Sequence, residues 1–130
     1  MQIPELIVVY SHSVGQNVRV AALPQIGETV RALTWDMTCD GAKGTNVAVA
    51  AGRLGTKTAL ISRTGDDAWA DAADNLLNGS GVDTAYLVRD PSLHTPTGVV
   101  FIDGAGNNTI VLSPDDQPIP HDQIQHALRA

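Results

Sequence analysis

Lys43 and Asn46 stand in the run CDGAKGTNVAVAAGRLG, residues 39–55, surrounded mostly by small side chains. A cation and a primary amide three residues apart, where a helix begins, can hold an oxygen-rich ligand. The exposed backbone N–H groups of a helix N-terminus, with the helix dipole behind them, favour such a ligand. Glycine and alanine at Gly41, Ala42 and Gly44 let it approach the backbone closely. The Asn46 amide both donates and accepts, which suits a hydroxyl group. The same residues would also serve a plain tight turn that packs a helix against a sheet, and spacing alone does not choose between the two.

Other chemistries fit less well. No lysine-serine or lysine-threonine pair follows the last glycine, so this is not a Walker loop, and the glycine spacing is wrong for a dinucleotide fingerprint. A second glycine-rich run, DGAGNN at 103–108, lies between two alternating segments and reads as a hairpin turn. His12 and His94 are isolated, and His121 and His126 are five apart and do not share a helix face, so no metal site is expected. Asp66 and Asp67 precede a helix and read as caps rather than an acid pair. Cys39 has no thiol partner and reads as a small, partly buried residue. Trp35 and Met37, on one strand face, read as packing rather than a cofactor platform.

The elements that must position these residues are those of one ordinary domain: 130 residues, 43% hydrophobic but only 4% aromatic, so the core is aliphatic. A net charge of −6 without a basic cluster argues against nucleic acid and against an anionic membrane surface. A single cysteine excludes an internal disulfide, and no secretion signal or membrane-length apolar run is visible, so a cytoplasmic protein is expected. The run LIVVY at 6–10 suits a strand buried on both faces. Residues 17–23 and 28–40 alternate, with Leu33, Trp35 and Met37 in a phase expected to face a partner layer. A helix over 44–54 carries Val47, Ala48, Ala51 and Leu54 at helical spacing and ends at Gly55.

A core strand follows at 57–63. The next helix is expected to bury Trp69, Ala73, Leu76 and Leu77 and to stop at Gly79. Strands are expected at 84–90, 97–103 and 108–113, the last two joined by Gly-Ala-Gly. Pro120 opens a final helix with Ile124, Ala127 and Leu128 on one face. Strands alternating with helices imply a layered α/β sheet, and the half-polar strands imply a second, partly exposed sheet.

GAKGTNVAVAAGRLG resembles the first signature of the ribokinase-like (PfkB) carbohydrate kinases, whose common form is GGKGANxAVAAARLG. PQIGETV, TALISRTGDDAWAD, SGVD and TPTGVVFIDGAGNNTIVL resemble further family segments, in the family's order. The resemblance implies a partial Rossmann-like ribokinase fold with a small β-sheet lid. Residues 1–130 would be the N-terminal part of one ribokinase-like domain, with lid strands at approximately 17–38 and 84–112. It implies a sugar pocket in which Asn46 hydrogen-bonds a hydroxyl, Lys43 and the backbone of Gly41 and Ala42 lie alongside, and Thr97, Gly98 and Val99 belong to the strand that closes over the sugar. The implied partners are a small sugar or sugar-like substrate and a second copy paired through the lid, or a complementing C-terminal half.

Two departures stand out. The family's GSxNxD pattern places an asparagine and an aspartate on sugar hydroxyls; here Ser13 and Gly15 occupy those positions. Ser13 can keep one hydrogen bond and Gly15 cannot. A buried hydroxyl without its partner costs ~1–3 kcal/mol, enough to change which sugar is accepted. The second signature, DTxGAGDxF, which supplies the family's catalytic aspartate and phosphate-binding glycines, has no counterpart in the sequence. ATP and Mg2+ are implied for a complete enzyme, but this chain is expected neither to bind them fully nor to contain a catalytic residue, and to be inactive alone. The alternative is a non-enzymatic sugar-binding or dimerisation module of the same descent.

Overall fold

The computed structural model describes residues 3–115 and 117–129; within the third strand the side chains of residues 38–40, Cys39 among them, lie outside that description, and so does the expectation for Cys39. Two sheets share the chain. In the first, β4 (Thr58–Gly65) is central and every pairing is parallel: β1 (Leu6–Val9) runs beside residues 58–61, β5 (Val82–Asp83) beside Thr58 and Ala59, and β6 (Leu87–Asp90) beside residues 62–65. The second sheet has the order β3 (Thr34–Asp40), β2 (Val14–Arg19), β7 (Thr97–Ile102), β8 (Asn108–Leu112). There β2 and β7 are parallel and the outer pairs antiparallel.

Three helices complete the chain: α1 (Lys43–Arg53), α2 (Ala68–Asn75) and α3 (His121–Arg129). Helix α1 ends as its sequence predicts. Gly55 takes φ +90°, its N–H reaches the carbonyl of Gly52, and the Thr56 N–H reaches that of Ala51. That is a Schellman closure, and glycine is what permits it. Asp67 caps α2, its carboxylate accepting the Ala70 N–H at 2.9 Å. The core is the buried cluster of Ala48, Leu60 and Leu77, with Val8, Val49, Val82 and Leu87 packed around it. Among the described residues no helix is long and apolar enough to cross a membrane.

Several expectations of burial are corrected. Strand β1 is half-exposed rather than buried on both faces: Leu6 and Val8 turn inward while Ile7 and Val9 stay exposed, because β4 is the strand paired with it and α1 covers one face. The segment 84–90 adds β6 to the core sheet instead of the lid, being drawn to the open half of β4. Residues 28–33 precede the strand, and Leu33, Trp35 and Met37 are exposed, facing no layer among the described residues. Val47, Leu54, Trp69 and Leu128 are exposed, Leu76 is half-buried, and the inner faces of the helices are built on Thr45, Ala48, Ala70, Ala73 and Ala127. Small residues let the helices sit close to the sheet, which leaves the larger ones at the flanks.

Candidate functional site

The two sheets meet over a cavity of about 600 Å3. One wall comes from the exit of β1 and the entry of α1. Tyr10, Ser11 and Ser13 line it on one side, and Gly41, Ala42, Lys43 and Asn46 on the other. The exit of β1 is held by Ser62, whose hydroxyl donates to the Tyr10 carbonyl at 2.6 Å. The entry of α1 is held by Asn46: its Oδ1 accepts the Gly41 N–H at 3.3 Å and its Nδ2 donates to the Gly41 carbonyl at 3.4 Å. Ala42 at the N-cap is extended and brings no side-chain cap. The first backbone N–H groups of α1 are therefore left to a ligand or to water.

The small residues of the α1 entry turn out to do two things. A Cβ on Gly44 would lie 2.1 Å from Cβ of Tyr10, and one on Gly52 would lie 2.4 Å from the Ser80 carbonyl oxygen. Those two glycines serve close packing. Gly41 and Ala42 line the cavity, and Gly41 serves packing too, since a Cβ there would lie 2.9 Å from Cβ of Thr45.

The opposite wall is the lid sheet. Gly15 pairs with Gly98 across β2 and β7, Gly98 with Leu112, and Val100 with Ile110, and all five residues line the cavity. Gly98 is bare because Leu112 lies over it; an added Cβ would meet Leu112 Cδ2 at 2.9 Å. Thr97 lines the cavity at the strand's start, its N–H donating to Ser113 Oγ at 3.1 Å.

Of the residues expected at the site, Ser13, Gly41, Ala42, Lys43, Asn46, Thr97 and Gly98 all line this one space, and Val99 does not. Side chains alternate along a strand, so Val99 shares the opposite face with its register partners Gln16 and Val111, and Val100 takes the inward place. Sequence reasoning missed Tyr10, Ser11, Ile110, Leu112 and Ser113, and also Asp115 and Gln117 between the last strand and the final helix. Gln117 is buried, and its Nε2 donates to the carbonyl of His94. It missed His12 as well. That side chain is wholly buried between Thr45 and Asp74, and burial holds its imidazole below the ordinary value against the pull of the Asp74 carboxylate.

Chemically the cavity suits a small polyhydroxylated ligand. Serine, threonine and amide groups supply donors and acceptors on one side, and an aliphatic floor of Val100, Ile110 and Leu112 lies on the other. Among the described residues Lys43 is its one cation and Asp115 its one carboxylate. That set does not fit a nucleoside triphosphate with its metal ion, which calls for several charge partners.

Residues 5–118 match the model of the pfkB family carbohydrate kinases. The deoxyribokinase of Salmonella typhi is 30% identical over 120 residues, covering 86% of this chain and 39% of that protein. The ribokinase of Bacillus subtilis is 41% identical over 90 residues, covering 68% of this chain and 30% of that protein. The structure of Arabidopsis thaliana ribokinase complexed with ribose and ATP superposes with a TM-score of 0.75 at 28% identity, covering 95% of this chain and 42% of that one. The chain thus spans about two fifths or less of the length of these relatives.

Proposed function

Since the chain belongs to the pfkB family of carbohydrate kinases, we propose that it is the sugar-binding and lid part of an ATP-dependent enzyme that transfers the γ-phosphate of ATP to a sugar hydroxyl. One observation carries the proposal. The turn at residues 41–46 and the glycine-lined face of the lid sheet, distant in sequence, converge on a single cavity of suitable size and polarity. In this reading Asn46, Lys43 and the backbone of Gly41 and Ala42 hold the sugar, Ser13 adds a hydrogen bond, and the β7 strand at Thr97 and Gly98 closes over it. Gly15 contributes space rather than a bond.

The nucleotide and Mg2+ belong, in this proposal, to the part of the family fold that carries the DTxGAGDxF signature. Transfer needs a base for the attacking hydroxyl and groups that stabilise the moving phosphoryl. The 130-residue chain accordingly binds sugar without turning over ATP. The exposed face bearing Leu33, Trp35 and Met37 supports association of the lid with a second copy or a complementing chain.

The test is ligand-linked stabilisation. D-Ribose, 2-deoxy-D-ribose and D-fructose are each added to the chain, and the melting temperature is followed with rising concentration. We expect at least one sugar to raise it and Asn46→Ala to weaken that sugar's binding about tenfold or more, a bonded hydroxyl being worth ~1–2 kcal/mol. A shift equal in the wild type and in Asn46→Ala would overturn the placement. Sugar binding together with persistent absence of phosphorylated product after a catalytic half is supplied would favour the non-enzymatic module instead.

A further inference from the structure

Ser11 and Ser13 line the cavity, and the residue between them points the other way. The His12 ring is wholly buried, with Nδ1 2.9 Å from Oγ1 of Thr45 and Nε2 3.3 Å from Oδ1 of Asp74. A carboxylate only accepts, and Asp74 is itself paired with Arg89 at 2.6 Å. The carboxylate favours the tautomer protonated at Nε2, in which the Thr45 hydroxyl donates to Nδ1. The Nε2 contact lies off the line of a formed hydrogen bond, so Asp74 acts on the ring chiefly as a nearby charge that selects the tautomer. Among the described residues the Ala73 carbonyl also faces the ring, and Arg89 stands behind Asp74.

Burying an imidazole is costly where an aliphatic side chain would be free of that cost. What the imidazole provides is a directed bond, and a buried polar bond specifies one geometry. Here the geometry spans the site. His12 is joined covalently to two cavity residues, Thr45 precedes Asn46, and Asn46 is tied to Gly41. The serine strip and the α1 entry, the two parts of one cavity wall, are thus held in register by the bond between His12 and Thr45.

We propose that His12 is a positioning residue for this site: through Thr45 it fixes the spacing between residues 11–13 and the turn at 41–46, and so sets ligand affinity without touching the ligand. The inference rests on the sugar-binding reading given above.

Four variants separate positioning from mere filling. Thr45→Val removes the hydroxyl at nearly constant shape, and Thr45→Ser keeps it. His12→Asn places an amide near the Nδ1 position and keeps the link to Thr45, whereas His12→Gln places it near Nε2 and loses that link. Affinities for D-ribose, 2-deoxy-D-ribose and D-fructose are measured calorimetrically on the chain, well below each variant's melting temperature. We expect Thr45→Val and His12→Gln to weaken the bound sugar about five- to tenfold, and Thr45→Ser and His12→Asn to stay within about twofold of the wild type. Wild-type affinity in all four, however far their melting temperatures fall, would overturn the proposal while leaving the sugar site standing. A wild type that binds none of the three sugars overturns the sugar reading and this inference with it. A further measurement needs no variant to fold: saturating sugar shifts the 15N resonance of His12 Nδ1 in the wild type, and an unmoved resonance counts against positioning.

Discussion

Strands β4 and β8 are both rich in aliphatic and threonine residues, yet their surroundings are opposite. Leu60 and Ile61 of β4 are sealed, at 0% and 1% exposure, whereas Ile110, Val111 and Leu112 of β8 stand 53%, 61% and 73% exposed. Strand β4 has a neighbour on either side and helices packed against it, and Gln123 of α3 donates to the Ser62 carbonyl. Among the described residues strand β8 is an edge with β7 alone beside it. Apolar sequence thus measures what a strand is able to bury, and topology decides what it does bury. The centre of the core sheet is sealed by its own chain, although its edge strand β1 keeps Ile7 and Val9 exposed. The lid strand β8 stays open on both faces, with Ile110 and Leu112 turned to the cavity and Val111 to the other face.

The widest contrast should come from truncating one residue in each sheet. Leu60→Ala empties the centre of the core cluster and should cost about 2–5 kcal/mol in urea unfolding. Val111→Ala should stay within about 0.5 kcal/mol, as exposed substitutions do. A comparable loss at Val111 that shrinks on dilution would break the contrast, because it would mean that a second copy covers that face in solution.

Gly44→Ala probes the seam between the regions. Alanine favours a helix by ~1 kcal/mol over glycine, but the new Cβ would lie 2.1 Å from Cβ of Tyr10, an atom next to the backbone that cannot swing away. We expect a net destabilisation of about 1–3 kcal/mol from overpacking. Sugar binding should weaken as well, because Tyr10 lines the cavity. A stabilised variant would show that α1 can shift on the sheet and that the cavity wall is not fixed there.

These contrasts also mark what could be read from the sequence. Local signals were legible: Gly55 ending α1, Asp67 capping α2, and the 97–112 hairpin, in which Asp103 accepts the N–H groups of Ala105 and Asn107. So was the cavity in outline, through the resemblance. Illegible was whatever depends on distant chain. LIVVY looked doubly buried because its run is continuous, but which faces are covered is decided by β4 and α1. Val99 and Val100 are alike as residues, and the pairing of β7 with β2 assigns their faces. His12 looked isolated because its partners lie 33 residues away at Thr45 and farther still at Asp74.

Asp67 gives the smallest effect and the sharpest cut between the two regions. Its Oδ1 accepts the Ala70 N–H of the core helix, and its Oδ2 accepts the Thr95 N–H at 3.0 Å, two residues before the lid strand β7. Burial pushes this carboxyl upward, but the bonds from the N–H and hydroxyl of Thr95 and from the N–H groups of Ala70 and Trp69 outweigh it and hold the group below its ordinary value. A carboxyl lowered by folding contributes stability in full above its unfolded value and loses it as pH falls through the folded one. Asp67→Ala should cost about 0.5–2 kcal/mol at neutral pH, the usual loss of a cap. Asp67→Asn keeps an oxygen for Ala70 but turns an N–H toward that of Thr95, so it should lose only the lid-side share. Urea melts at pH 7 and pH 3 should then show the wild type approaching Asp67→Asn as the carboxyl protonates. If Asp67→Asn is as stable as the wild type at pH 7, the cap alone carries the energy, and the join between core and lid at Thr95 is held by its neighbours rather than by Asp67.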